Sequence, residues 1–162
     1  AHDFFWIIKD QVQVPVSDTE VRTFFHFHPE VHLQVDEEKQ EVQAFSGDVG
    51  LILKYFNSVQ VMAEKGGQDI SQGWVAPGYG YLESAWRVCF KWNTRNLMDF
   101  FPMVFVPCKG GQPEIQCDTN KWKEDMYTFS ISNKENMMNV QINWSVMQDF
   151  KIDVINKSLY IS

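Results

Sequence analysis

The chain has 162 residues, 44 % hydrophobic and 15 % aromatic, with six Trp and thirteen Phe. That is enough for one domain with a sizeable core, too few for two ordinary ones, and too apolar for disorder. A net charge of −7 without a Lys/Arg cluster argues against a phosphate-neutralising nucleic-acid surface, and no apolar run approaches the ~20 residues of a membrane-spanning helix.

The opening Ala1-His2-Asp3-Phe4-Phe5-Trp6 has neither a basic region nor a cleavage site, so no signal peptide is visible. It starts inside what reads as a strand, residues 4–9, as a segment of a longer protein would. Residues 15–20 carry Pro and Ser-Asp and read as a turn. The run 22–35 alternates. Val21, Thr23, Phe25 and Phe27 point one way, and Arg22, Phe24, His26 and His28 the other. After Pro29, Val31, Leu33 and Val35 alternate against Glu30, His32 and Gln34. A period of two is the mark of a half-buried strand, here broken once and continued.

Asp36-Glu37-Glu38-Lys39 reads as a solvated hairpin tip. Strands are expected at 41–45, 49–56 and 59–64, the first turned by Ser46-Gly47-Asp48 and the last ended by Lys65-Gly66-Gly67. From 68 to 84 the period disappears among Gly73, Pro77, Gly78 and Gly80, with Trp74, Tyr79 and Tyr81 along it, so a long functional loop is expected. Residues 85–92 alternate strongly, with Trp86, Val88, Phe90 and Trp92 opposed to Arg87, Cys89 and Lys91. Residues 100–106 read as a strand and 107–113 as a Gly/Pro loop. Strands at 126–132, 137–144, 150–155 and 158–161 follow, and one helical turn is the reading at 119–125. About eleven or twelve strands at hairpin spacing, without βα alternation, predict an all-β fold: an antiparallel two-layer β-sandwich spanning residues 1–162 as one domain.

Arg22, His26 and His28 share one strand face, the imidazoles roughly 7 Å apart at ~3.3 Å per residue. An imidazole pair beside a guanidinium suits an anionic ligand or a cleft wall. Three roles stand open for the pair: lining a ligand, structural hydrogen bonding, or a share in a metal site with His32, Glu30 or Asp3. No closed ligand set is visible, so no metal and no cofactor is assigned. Cys89, Cys108 and Cys117 form no CxxC and no zinc-type spacing. No GxSxG nucleophile and no phosphate loop occurs. The aromatics Trp74 and Tyr79 offer surfaces on which sugars stack.

Three stretches together resemble the C-terminal β-sandwich of the heparinase II/III-like polysaccharide lyases: His-Asp-Phe-Phe-Trp-Ile-Ile-Lys-Asp-Gln-Val at 2–12, Phe-Phe-His-Phe-His-Pro-Glu-Val at 24–31, and Gln-Gly-Trp-Val-Ala-Pro-Gly-Tyr-Gly at 72–80, with the strand pair that ends in Val-Phe-Val-Pro. The resemblance covers about residues 2–107. It implies an α/α-toroid upstream of the sandwich in the same protein. It implies an acidic polysaccharide as partner, such as a heparan-type glycosaminoglycan or alginate, and a periplasmic or secreted location. The reaction it implies is β-elimination at a uronic acid: a base takes the C5 proton, an acid protonates the leaving oxygen, and donors neutralise the carboxylate. The family's catalytic Tyr, His and Asn belong to the toroid, and its His-x-His-x-Asp-type segment has no match here. His26-Phe27-His28 belongs to a later strand and does not replace it. No catalytic residue is therefore carried over, and the chain alone is expected to be inactive. Arg22, His26, His28, Trp74 and Tyr79 are the candidate substrate-binding residues. A non-catalytic carbohydrate-binding or structural β-sandwich is the alternative, as is a degenerate family member.

Overall fold

The computed structural model describes residues 5–56, 59–95, 98–110, 114–117, 126–132, 137–143 and 151–156. Fourteen strands occur among them, and all their pairings are antiparallel. In chain order these are β1 (Trp6–Gln13), β2 (Glu20–His26), β3 (His32–Asp36), β4 (Glu41–Ser46), β5 (Val49–Tyr55), β6 (Gln60–Lys65) and β7 (Trp74–Gly78). They continue with β8 (Tyr81–Ser84), β9 (Trp86–Asn93), β10 (Met98–Lys109), β11 (Glu114–Cys117), β12 (Met126–Ser132), β13 (Met137–Asn143) and β14 (Lys151–Asn156). The chain forms two compact units, Ala1–Gly110 and Gly111–Ser162.

In the first unit a five-stranded sheet, β1-β10-β5-β4-β3, faces a three-stranded sheet, β2-β9-β6. Leu33, Val42, Leu53, Tyr55, Phe101, Met103 and Phe105 from the larger sheet meet Val88, Phe90 and Trp92 from the smaller one in a single core. These are alternate residues of each strand, which is how two sheets interdigitate. Phe90 sits at the centre, its ring edge-on to Phe25 and Tyr55 and tilted against Phe101. Toward the side, Thr23 Oγ1 donates to Asp10 Oδ2 at 3.1 Å, a polar tie between the layers. The two-layer antiparallel sandwich expected from the alternation is the fold. The second unit is a four-stranded sheet in the order β11-β12-β13-β14.

Three local expectations change. The run 22–35 does not continue as one interrupted strand: β2 belongs to the small sheet and β3 to the large one. Pro29 is buried at the crossing, with Val31 N–H donating to His28 O at 3.0 Å. The stretch 68–84 is not wholly a loop, since β7 and β8 pair within it, with a register shift between Val75 and Gly78. Pro77 and the flanking glycines removed the period-two signal there without removing the strands. Finally, β10 keeps Pro102 within it, as expected, but runs on past residue 106 through Pro107 to Lys109. Proline lacks the donor N–H that a central strand needs. Pro102 lies opposite Lys9 of β1, where β5 has not yet begun to pair. Pro107 lies opposite Leu51 of β5, beyond the last partner on β1. Among the described residues, each proline therefore has a strand neighbour on one side only. The helical turn read at 119–125 and the strand at 158–161 lie outside the described residues.

Gly73 holds the hairpin to the sandwich. Its φ is +76°, and a Cβ there would stand 2.5 Å from the Ala85 carbonyl. Its carbonyl accepts from both Gly66 N–H (3.0 Å) and Ala85 N–H (2.8 Å). Only glycine meets both demands.

Candidate functional site

The outward face of the small sheet collects the chemistry-bearing residues. Register sets Arg22 opposite Lys91, Phe24 opposite Cys89 and His26 opposite Arg87. On the other side of β9, Gln60, Met62 and Glu64 stand beside Lys91, Cys89 and Arg87. The face is thus three rows, cationic at both ends and apolar in the middle. Phe24 and Met62 are 43 % and 44 % exposed, so the middle row is open to solvent. Cys89 lies buried between them, and burial pushes its thiol up, which leaves little thiolate near neutral pH.

Each cation is engaged. Arg87 lies over the Phe24 ring at 4.9 Å, donates to the Ser71 carbonyl at 3.0 Å and pairs with Glu64. Glu20, on the same face, takes Arg22 through Nε at 2.8 Å and Nη2 at 2.6 Å, and Lys91 through Nζ at 2.7 Å. Lys91 first, then Arg22, hold the Glu20 carboxyl below the usual carboxylate range. An array of guanidinium, ammonium and aromatic groups binds anionic and stacking ligands.

Of the residues singled out in the sequence, Arg22 and His26 lie on this face. His28 lies past the end of β2, where its Nδ1 accepts from Glu30 N–H at 3.4 Å in the turn. His32 opens β3 in the other sheet, so the histidines do not share a register. Among the described residues no group of three or more His, Cys, Asp or Glu is arranged to hold a metal ion. Trp74 is half-buried, and its Nε1 donates to the Gly67 carbonyl at 2.8 Å, which anchors the start of the hairpin. Tyr79 is fully exposed in the turn between β7 and β8, with Tyr81 and Leu82 exposed beyond it. The hairpin and the sheet face are therefore separate features. Arg87 touches the loop leading into the hairpin through Ser71. Arg87, Lys91, Phe24 and the two glutamates were not singled out from sequence. The alternation of Arg87, Cys89 and Lys91 was visible there, but its juxtaposition to Arg22 and His26 needed the β2–β9 pairing.

No protein-family profile and no curated protein sequence matches the chain. Two solved structures match it. A mutant of the heparan sulfate lyase HepC from Pedobacter heparinus superimposes with a TM-score of 0.63 at 14 % identity, over 86 % of this chain and 22 % of that one. Another structure of the same lyase gives a TM-score of 0.60 at 13 % identity, over 98 % of this chain and 23 % of that one. The chain thus spans less than a quarter of the length of the proteins it matches. Its fold is that of a portion of a heparan sulfate lyase, in line with the heparinase-like resemblance carried by residues 2–12, 24–31 and 72–80.

Proposed function

We propose that this chain is the β-sandwich part of a heparinase II/III-like polysaccharide lyase. In this reading it holds an acidic, uronic-acid-containing polysaccharide while a toroid part of the larger protein performs β-elimination. The observation that carries the reading is the match of most of this chain to under a quarter of a heparan sulfate lyase. Arg22 and His26 meet the polymer from the sheet face, His28 from the end of β2, and Tyr79 from the hairpin. Trp74 acts through the hairpin it anchors. The setting for such a substrate is the periplasm or the outside of the cell. The test is to incubate the 162-residue chain with heparan sulfate and with alginate and to follow both binding and the ultraviolet absorbance of unsaturated uronate. Binding without product is expected. Sustained product formation would assign catalysis to this chain, and absence of binding to both polymers would remove the substrate-holding role.

The exposed Tyr79 and Tyr81 favour a second reading, a carbohydrate-binding module without a catalytic partner. Loss of binding to neutral and acidic glycans alike in Tyr79→Ala with Tyr81→Ala would support it over the first.

A further inference from the structure

We infer that the outward face of β2-β9-β6 is a polyanion-binding surface occupied at rest by the protein's own carboxylates. The inference rests on the polysaccharide reading above for its ligand class, an acidic polysaccharide. Three cations, Arg22, Lys91 and Arg87, stand on this face. Lys91 and Arg87 are four residues apart on one strand, roughly 13 Å at ~3.3 Å per residue. The apolar row of Phe24 and Met62 lies between them. A pyranose lying across that row presents its apolar face to Phe24 and its anionic substituents to the cations at either end.

The two carboxylates already in place make the contacts such a polymer would make. Glu20 takes both Arg22 and Lys91, and Glu64 takes Arg87. Glu20 and the side chain of Arg22, 54 % exposed, lie in solvent, where an ion pair is weak and exchanges readily. An incoming carboxylate or sulfate therefore displaces Glu20, not water alone, while at the other end it competes with Glu64 for Arg87, whose side chain is only 16 % exposed. The face carries a single positive charge in excess from these five residues while the chain as a whole carries −7. The glutamates thus set how strongly a locally basic face on an acidic protein attracts a polyanion.

The test is calorimetric titration of the 162-residue chain with heparan sulfate, alginate, dextran sulfate and neutral dextran at low salt. Glu20→Gln should tighten binding of the acidic polymers by about twofold to fivefold, the scale of an exposed ion pair, and Glu64→Gln should tighten it as well. Lys91→Ala and Arg87→Ala should weaken it, neutral dextran should not bind, and Lys39→Gln on the remote β3–β4 turn should change nothing. Unchanged or weaker binding by both glutamine variants, or no binding of any polyanion by any variant, overturns the inference. If the glutamine variants tighten binding of dextran sulfate and neither uronate polymer binds, the gated face stands and the uronate-lyase reading falls. If wild type binds heparan sulfate and the glutamine variants do not differ from it, the reading stands and the gated face falls.

Discussion

The two sheets of the sandwich each turn one face away from the shared core, and the two outward faces have different fates. On the small sheet that face is open: Arg22, Phe24, His26 and Met62 are exposed. On the large sheet the corresponding positions of the central strands are buried, while His32 and Gln34 of edge strand β3 stay exposed. Glu41 and Gln43 of β4, Ile52 and Lys54 of β5, and Val104 and Val106 of β10 are at most 7 % exposed. Both faces carry a glutamate paired with a cation. Lys54 Nζ lies 3.8 Å from Glu41 Oε1 and donates to the Lys39 carbonyl, and Gln43 Nε2 donates to Glu41 Oε2 at 3.2 Å. In water such a pair adds little and its partners can be exchanged. Away from water, removing one partner strands the other. The same residue types thus make a replaceable contact on one sheet and a fixed structural one on the other, and solvent access decides which.

The largest expected effect breaks the buried pair. Lys54→Met leaves Glu41 buried without its cation and should cost about 3–5 kcal/mol in a denaturant titration. Adding Glu41→Leu should recover most of the loss, because two apolar side chains of similar volume replace the pair. A loss below about 1 kcal/mol for Lys54→Met would show that the large sheet's outward pair behaves as a surface pair and would erase the contrast.

The hairpin extends the comparison within the open side of the molecule. Trp74→Ala removes a half-buried ring and the bond to the Gly67 carbonyl, and should cost about 2 kcal/mol. Tyr79→Ala removes a fully exposed ring and should cost under about 0.5 kcal/mol. Equal losses at the two positions would mean that Trp74 anchors nothing.

Acid is the smallest probe and the one directed at the open pair. Glu20 has an ordinary value of 4.5, and the folded protein lowers it through Lys91 and Arg22. A depressed carboxylate stabilises the fold above its unfolded value and loses that contribution as pH falls through the folded one. The Glu20 carboxyl resonance should therefore titrate below pH 4.5, and in Lys91→Ala its midpoint should move up toward that value. A midpoint unaffected by Lys91→Ala would show that Glu20 does not hold the lysine in solution.

Several strands were legible because a half-buried strand writes a period of two into the sequence, and 20–26 and 86–93 both do so. Sheet membership was not legible. Thr23 pairs with Phe90, far away in the chain, and no local pattern specifies such a partner. That is also why half of the site was missed: Arg22 and His26 stood out locally, but Lys91 and Arg87 joined them only through the long-range ladder. Glu20 and Glu64 left still less trace, since an acidic residue at the end of a strand reads as ordinary solvation. Pro107, read as the start of a loop, misled for a physical reason. The rule that proline avoids central strands concerns hydrogen bonds, and β10 places Pro107 beyond its last described partner on β1. In β7, Pro77 and the glycines erased the alternation while the backbone still paired.

The clamp at Gly73 has a consequence for how this fold can vary. With Gly66 and Ala85 both bonded to its carbonyl, and Trp74 tied to Gly67, the base of the β7–β8 hairpin is closed before the tip begins. At the tip, a Cβ added at Gly78 or Gly80 would meet nothing within 4 Å. Residues added, removed or exchanged at the tip leave the core's packing untouched, although Gly80, at φ +71°, favours glycine. The tip is therefore a port: a place where a lineage, or a protein engineer, can graft a different reach or a different set of side chains onto an unaltered sandwich.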